Sequence, residues 1–226
     1  MRKKLGPGRH NPFPNARRKN WAKRMSDVYE FFGIEPPRKK STKPVKPATA
    51  LQEKTRSKFA YANALAGKMN EAAKIGYHLI TKKKPQTPMN CLMTNIMNCT
   101  VTDGSQFVTS FKDLLLSEGV RNPLMVPQIR ISTLGNASLT WIMGDRPMTK
   151  DSETDLVYLL IYSETQNAVL YSGYVGLQKE EQATIDIGPI RSDEVLHCWN
   201  FLKAFKGYEV SYSDYIKDVK IIASEG

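Results

Sequence analysis

The stretch Arg17-Arg18-Lys19-Asn20-Trp21-Ala22-Lys23-Arg24 sets one tryptophan between two groups of cations. Residues of these types at this spacing suit nucleic acid: lysine and arginine neutralise phosphates, and an aromatic ring stacks on a base. The same residue types recur upstream at Arg2, Lys3, Lys4 and Arg9, with Phe13 as a second ring, and downstream at Arg38, Lys39 and Lys40. Together with Trp21 these cations are the candidate contacts to nucleic acid or to an acidic protein surface. The other use of such a segment is a solvated tail that aids solubility. The density of charge around Trp21 favours a bound partner.

Covalent and metal chemistry have no comparable pattern. The three histidines, at 10, 78 and 197, stand at no ligand spacing from one another or from a cysteine or carboxylate. His197 and Cys198 are neighbours in an apolar run that reads as a strand, so their side chains point to opposite faces and structural roles are expected for both. Asp151-Ser152-Glu153-Thr154-Asp155 alternates carboxylates but lacks the glycine and bidentate glutamate of a calcium loop; a solvated turn is expected there. Gly6-Pro7-Gly8 has neither the Lys-Ser/Thr ending nor the preceding strand of a phosphate loop. Met89, Met93 and Met97 recur every four residues beside Leu92 and Ile96, the pattern of core or of a partner face. No catalytic residue, metal site, cofactor or small-molecule substrate is expected.

The whole chain has 33 Lys and Arg against 22 Asp and Glu, a formal net charge of +11. Residues 1–50 contain 14 of those cations and 3 acids, so the excess sits entirely in this first segment and the rest is neutral. Charge of this kind belongs to an arm that meets a polyanion, not to the general surface. The 3 cysteines are sparse, odd in number and without a CxxC spacing, which argues against a disulfide scaffold or zinc site and for a reducing compartment. No apolar secretory segment and no membrane-length run is visible, so the expected location is the cytoplasm or a nucleoprotein or virion assembly. Asn98-Cys99-Thr100 and Asn136-Ala137-Ser138 then count as chance matches to the glycosylation pattern.

These residues must be carried by particular elements. Pro7, Pro12 and Pro14 with Gly6 and Gly8 keep the first 25 residues extended. A short helix is predicted over 26–32, capped by Ser26 and stopped by Gly33, with Phe31, Phe32 and Ile34 as an apolar plug. A Pro- and Lys-rich linker follows. The strongest helical periodicity runs over 49–77: Phe59, Ala62, Ala66, Met69 and Ala73 form a stripe with Leu65 and Ala72, basic residues Lys54, Arg56 and Lys58 flank it, and Gly76 is the expected stop. A shorter helix is predicted from about 88 to 99. Strands are predicted at 111–116, 126–133, 137–143, 156–163, 167–172, 182–187, 194–204 and 208–222, the stretch 156–162 being apolar on both faces as in a central strand. Ala137, Leu139, Trp141 and Met143 share one face.

From Arg38 to Lys43 through Gln52, Arg56, Lys58 and Phe59 to Ile75-Gly76-Tyr77, the chain resembles an uncharacterised family common in Bacteroidota. In that family a basic Ser-Lys-Pro segment leads into a "Q…R.KF" helix, then a short helical segment and an all-β half. The resemblance spans roughly 30–226 and implies an architecture without an activity. The front departs from it: the family's Gly-rich opening is replaced by KLGPGRHNPFPNARRKNWAKR.

The expected fold is mainly β with an N-terminal helical segment: an antiparallel sandwich of immunoglobulin or fibronectin type III character, preceded by a basic extended arm. The expected divisions are 1–48 (arm and linker), 49–104 (helical segment) and 105–226 (sandwich, expected to fold alone with reduced stability). The functional expectation is a non-enzymatic component of a virion or nucleoprotein type of assembly, anchored by its arm to nucleic acid or a neighbouring subunit. The alternative is a stand-alone recognition or adhesion module that binds protein or glycan through its sandwich loops.

Overall fold

A computed structural model describes residues 33, 47–83, 85–104, 106–142, 153–217 and 219–222. The chain divides after Ala48 into two units, and every element below belongs to the second, Thr49–Gly226. The helix over 26–32 and its apolar plug lie outside the described residues.

Helix α1 (Ala50–Lys68) begins in a reciprocal cap: the Thr49 hydroxyl accepts from the Gln52 amide at 3.3 Å, and the Gln52 side-chain oxygen accepts from the Thr49 amide at 3.1 Å. The predicted single helix is interrupted at Met69, giving α2 (Asn70–Gly76), and a further short helix, α3 (His78–Lys83), follows its predicted end. Helix α2 ends at Gly76, the expected stop, and the glycine has a second role. A Cβ there would lie 2.2 Å from the Leu116 carbonyl oxygen, so glycine is needed for close approach, and its own carbonyl accepts from the Glu118 amide at 3.3 Å. Helix α4 (Pro88–Cys99) starts at the Thr87 cap with proline in its first turn and buries Leu92 and Ile96. Ala62, Leu65, Ala66, Met69, Ala72 and Ala73 are buried as the stripe requires, whereas Phe59 is 50% exposed, because α1 buries nothing before Ala62.

A hairpin of β1 (Thr100–Asp103) and β2 (Gln106–Thr109) follows, unanticipated from the sequence. Two four-stranded sheets come next. One has the order β10–β3–β4–β7, from β3 (Met125–Ser132), β4 (Asn136–Ile142), β7 (Gln182–Asp186) and β10 (Val219–Ile222). The other has the order β6–β5–β8–β9, from β5 (Leu156–Ser163), β6 (Ala168–Leu177), β8 (Leu196–Lys203) and β9 (Asp214–Tyr215). Leaving β10 aside, the first, second and fifth of these strands share one sheet and the third, fourth, sixth and seventh share the other, the arrangement of a fibronectin-like sandwich. The fold is mainly β with an N-terminal helical segment.

The central sheet has both faces buried. Val157, Leu159 and Ile161 of β5, with Cys198 and Leu202 of β8, meet Ile129, Ile131, Leu139 and Trp141 of the second sheet. On the opposite face Leu160, Tyr162, Trp199 and Phe201 meet Ala62, Ala66, Met69, Ala73, Tyr77, Leu92 and Ile96 of the helices. Period-2 alternation along β5 and β8 thus serves two cores, and the helical segment is a third layer.

Two predicted strands do not form as such. Residues 111–116 make a 3-10 turn (Phe111–Asp113) and an irregular run. Side chains satisfy its backbone: Trp199 Nε1 donates to the Leu114 carbonyl at 3.1 Å, the Tyr77 hydroxyl to the Leu115 carbonyl at 2.6 Å, and the Leu116 amide donates to the Ser213 hydroxyl at 2.8 Å. The run 208–222 breaks into bridges at Val210 and Ser211, then β9, and then β10, which changes sheet and pairs with β3 in parallel.

Ala66 has no exposed surface. Ala66→Glu is expected to lower stability by several kcal/mol, about 2–5, because the carboxylate enters an apolar contact without a partner. Urea denaturation measures it; an unchanged midpoint would show that the stripe does not carry the helix layer.

Candidate functional site

All thirteen predicted contact residues, Arg2, Lys3, Lys4, Arg9, Arg17, Arg18, Lys19, Trp21, Lys23, Arg24, Arg38, Lys39 and Lys40, lie outside the described residues. Of the cations on the α1 flank, Lys54 and Arg56 are exposed and Lys58 is half-buried.

The structure does assemble an acid–histidine–hydroxyl row. His197 Nε2 lies 3.0 Å from Glu164 Oε2, and its Nδ1 lies 2.9 Å from the Tyr215 hydroxyl. Phe111 stacks on the imidazole with centroids 4.1 Å apart. Burial, with smaller contributions from Cys198 and Glu164, pushes the Tyr215 hydroxyl above its ordinary pKa. The Glu164 carboxylate can only accept, so Nε2 carries the hydrogen that points to it, and in that tautomer Nδ1 accepts from the Tyr215 hydroxyl. Both ring nitrogens are engaged and the terminal hydroxyl is a poor nucleophile, so the row can clamp the β5–β6 turn to β9 but has no activated group to offer a substrate. Cys198 lies on the opposite strand face, in the core between the sheets, where burial drives its thiol upward. Among the described residues no group of three His, Cys, Asp or Glu has the geometry to hold a metal ion.

The acidic loop is only partly the solvated turn expected. Asp151 and Ser152 lie outside the described residues, and Glu153 is exposed. Asp155, however, is buried, and its Oδ2 accepts from Arg121 Nη1 at 2.8 Å. Arg121 also reaches Glu209 at 3.2 Å. The ion pair ties the start of β5 to residue 121 and to the β8–β9 loop, a long-range demand that no local pattern announces.

That tie frames the one concave surface we single out. Leu79 and Ile80 of α3, Glu118, Gly119, Val120 and Tyr212 line a groove of about 200 Å³. Its walls are fixed to each other. The Arg121 amide donates to the Val210 carbonyl at 3.0 Å and the Ser213 amide to the Ser117 carbonyl at 3.2 Å. A Cβ on Gly119 would lie 1.9 Å from the Val210 oxygen, so only glycine lets these two segments touch. Beside the groove, Tyr208 stacks with His78 at 4.5 Å, and Lys82 Nζ sits 3.9 Å from the centre of the same ring. Sequence reasoning missed this surface; its one local signal was the unusual run of rings at Phe205, Tyr208 and Tyr212 in a polar loop.

Among the described residues no helix is long and apolar enough to cross a membrane. No curated protein matches the chain. The helix landmarks Arg56, Lys58, Phe59 and Ile75-Gly76-Tyr77 now stand on α1, α2 and the residue after it, followed by α4 and the two sheets. Residues 23–217 match a family of unknown function, DUF6266, and the chain belongs to that family.

Proposed function

We propose that the protein is a non-enzymatic binding component of a larger assembly of nucleoprotein or virion type, anchored to nucleic acid by its basic N-terminal segment. The observation that carries this reading is the partition of charge: residues 1–50 hold 14 cations and 3 acids, while the chain as a whole has a net charge of +11. The bias continues into the helical segment, where residues 51–84 carry 8 cations and 2 acids, and reverses over 105–226, with 11 cations and 16 acids. A chain polarised in this way presents one end to a polyanion and keeps the other end off it.

The test is a salt titration of oligonucleotide binding by the full chain and by residues 47–226. With about 6 phosphate contacts on a duplex, affinity should fall with salt at a log–log slope of roughly −5, and the truncated protein should lose that binding. Trp21→Ala should weaken binding by about 1–3 kcal/mol through loss of stacking. Equal, weak binding by both proteins would exclude a nucleic-acid anchor and leave an acidic protein surface as the partner.

A further inference from the structure

The cations on the flank of α1 serve nothing that the fold requires. From Ala50 to Ala60 every residue is exposed except the half-buried Lys58, and the first buried residue of the helix is Ala62. Eleven residues at 1.5 Å each make an overhang of about 16 Å, started firmly by the reciprocal cap at Thr49. Lys54 and Lys58 are four positions apart, a like-charge spacing that weakens an isolated helix. Neither they nor Arg56 form an ion pair among the described residues, and Glu53 is the single acid of α1. The hairpin that Tyr61 touches through Phe107 adds one more acid, Asp103, which leaves the surround net positive. The basic run of the sequence ends here: residues 38–58 hold 8 cations and 1 acid. At 100° per residue, Lys54 and Lys58 stand about 40° apart on one flank of the helix, and Arg56 stands about 160° round from Lys58 on the other. Between the flanks, on the side turned away from the buried stripe, come Ser57, Ala60, Ala64 and Gly67, all small and exposed.

We infer that the first three turns of α1 lie in the major groove of double-stranded DNA. This rests on the nucleic-acid reading above and names the nucleic acid. A major groove about 12 Å wide admits a helix of about 10–12 Å diameter and sets a row of phosphates on each side of it. Lys54 and Lys58 then meet one strand and Arg56 the other, while the small face lets the helix approach the base edges. Cations on two opposite flanks do not suit a flat anionic surface, which a single flank would satisfy. Duplex RNA is disfavoured because its major groove is deep and narrow. A second copy laid on the small face would bring the like charges of two helices together. A protein partner would find no large apolar side chain there to anchor it, since Leu51 and Phe59 lie on the other side of the helix.

The experiment compares the full chain with a variant carrying Lys54→Gln, Arg56→Gln and Lys58→Gln. Each is titrated with salt on a sixteen-base-pair DNA duplex, on an RNA duplex of the same sequence and on one DNA strand. Losing three phosphate contacts should flatten the log–log slope on the DNA duplex by about 2–3 and weaken binding at least tenfold, with an unchanged melting temperature. A control with Lys112→Gln, Lys179→Gln and Lys206→Gln, all at exposed positions elsewhere, should bind as the natural chain does. Ala60→Trp adds bulk to the small face without changing charge, and should weaken duplex binding several-fold at constant slope. If the full chain binds the duplex with a steep slope and the triple variant matches the control, the inference falls and the basic N-terminal segment keeps its role. Equal or tighter binding of the RNA duplex or the single strand would overturn the groove. So would a dimer in sedimentation that Ala60→Trp dissociates, and a lower melting temperature of the triple variant would assign these side chains to the fold instead. No binding of any nucleic acid by the full chain would sink both this inference and the reading beneath it.

Discussion

Residues 105–226 expressed alone should lose cooperative unfolding and bind hydrophobic dyes, while residues 47–226 should melt in one sharp transition. The helix-facing side of the central sheet explains why. Without residues 49–99, the buried side chains Phe111, Leu114, Leu116, Leu160, Tyr162, Trp199 and Phe201 become an open apolar surface. At about 1.5–3 kcal/mol for each large side chain, those seven account for about 10–20 kcal/mol of burial. A typical domain has only about 5–15 kcal/mol of net stability. The core between the two sheets then has to hold the sandwich by itself, and the expected result is that the three layers fold only together. Urea denaturation followed by near-ultraviolet circular dichroism decides the point. A fragment with the same sharp midpoint as residues 47–226 would show that the helices are an accessory.

Arg121→Ala should lower stability by about 3–5 kcal/mol at neutral pH, because it leaves Asp155 buried beside no cation. Its pH dependence identifies the cause. Burial pushes the Asp155 carboxyl above its ordinary value, outweighing the downward pull of Arg121 through charge and hydrogen bonding. An acid raised in the folded state holds its proton more tightly there than in the unfolded chain. Its stabilising contribution is complete below the unfolded value near 3.8 and is lost as pH rises through the folded value. Removing the guanidinium raises the folded value further. The deficit of Arg121→Ala relative to the natural protein should therefore shrink as pH falls from 7.5 towards 4.5, and Asp155→Asn should be the milder change at pH 7.5. A deficit that is constant or grows with acid would assign the loss to packing of the arginine stem instead.

What could be read from the sequence depends on how local each determinant is. Helix α4 was legible at its approximate bounds, since Met89, Leu92, Met93, Ile96 and Met97 recur within nine positions. Strand β5 was legible as a central strand because apolar residues on both of its faces predict burial on both sides. Residues 111–116 misled for the opposite reason: Phe111, Leu114 and Leu116 are buried as in a strand, but the partners of this run's backbone are Tyr77, Trp199 and Ser213, far away in the chain. The break at Met69 escaped notice because the apolar stripe continues through it, and α3 lies past the predicted end of the helix. Of the candidate sites, the basic segment is visible in composition alone. The groove is not, since Leu79, Val120 and Tyr212 meet only after three distant segments pack, and exposure of an apolar side chain leaves no mark on a sequence.

The central sheet, covered by helices on one face and by a second sheet on the other, sets a timetable for synthesis. Strand β8 supplies Trp199 and Phe201 to the helix layer, yet it begins about a hundred residues after α4 starts. At about 5–20 residues per second, a ribosome needs roughly 5–20 s to cover that distance. For that interval α1, α2 and α4 are outside the ribosomal tunnel with no sheet to rest on. The composition of the stripe suits the wait: Ala62, Ala66, Ala72 and Ala73 expose little greasy surface and have poor strand propensity, so the nascent helices offer little to a neighbouring chain. The large β-forming side chains of β8, in contrast, are made late, after every residue of the helix layer has been synthesised.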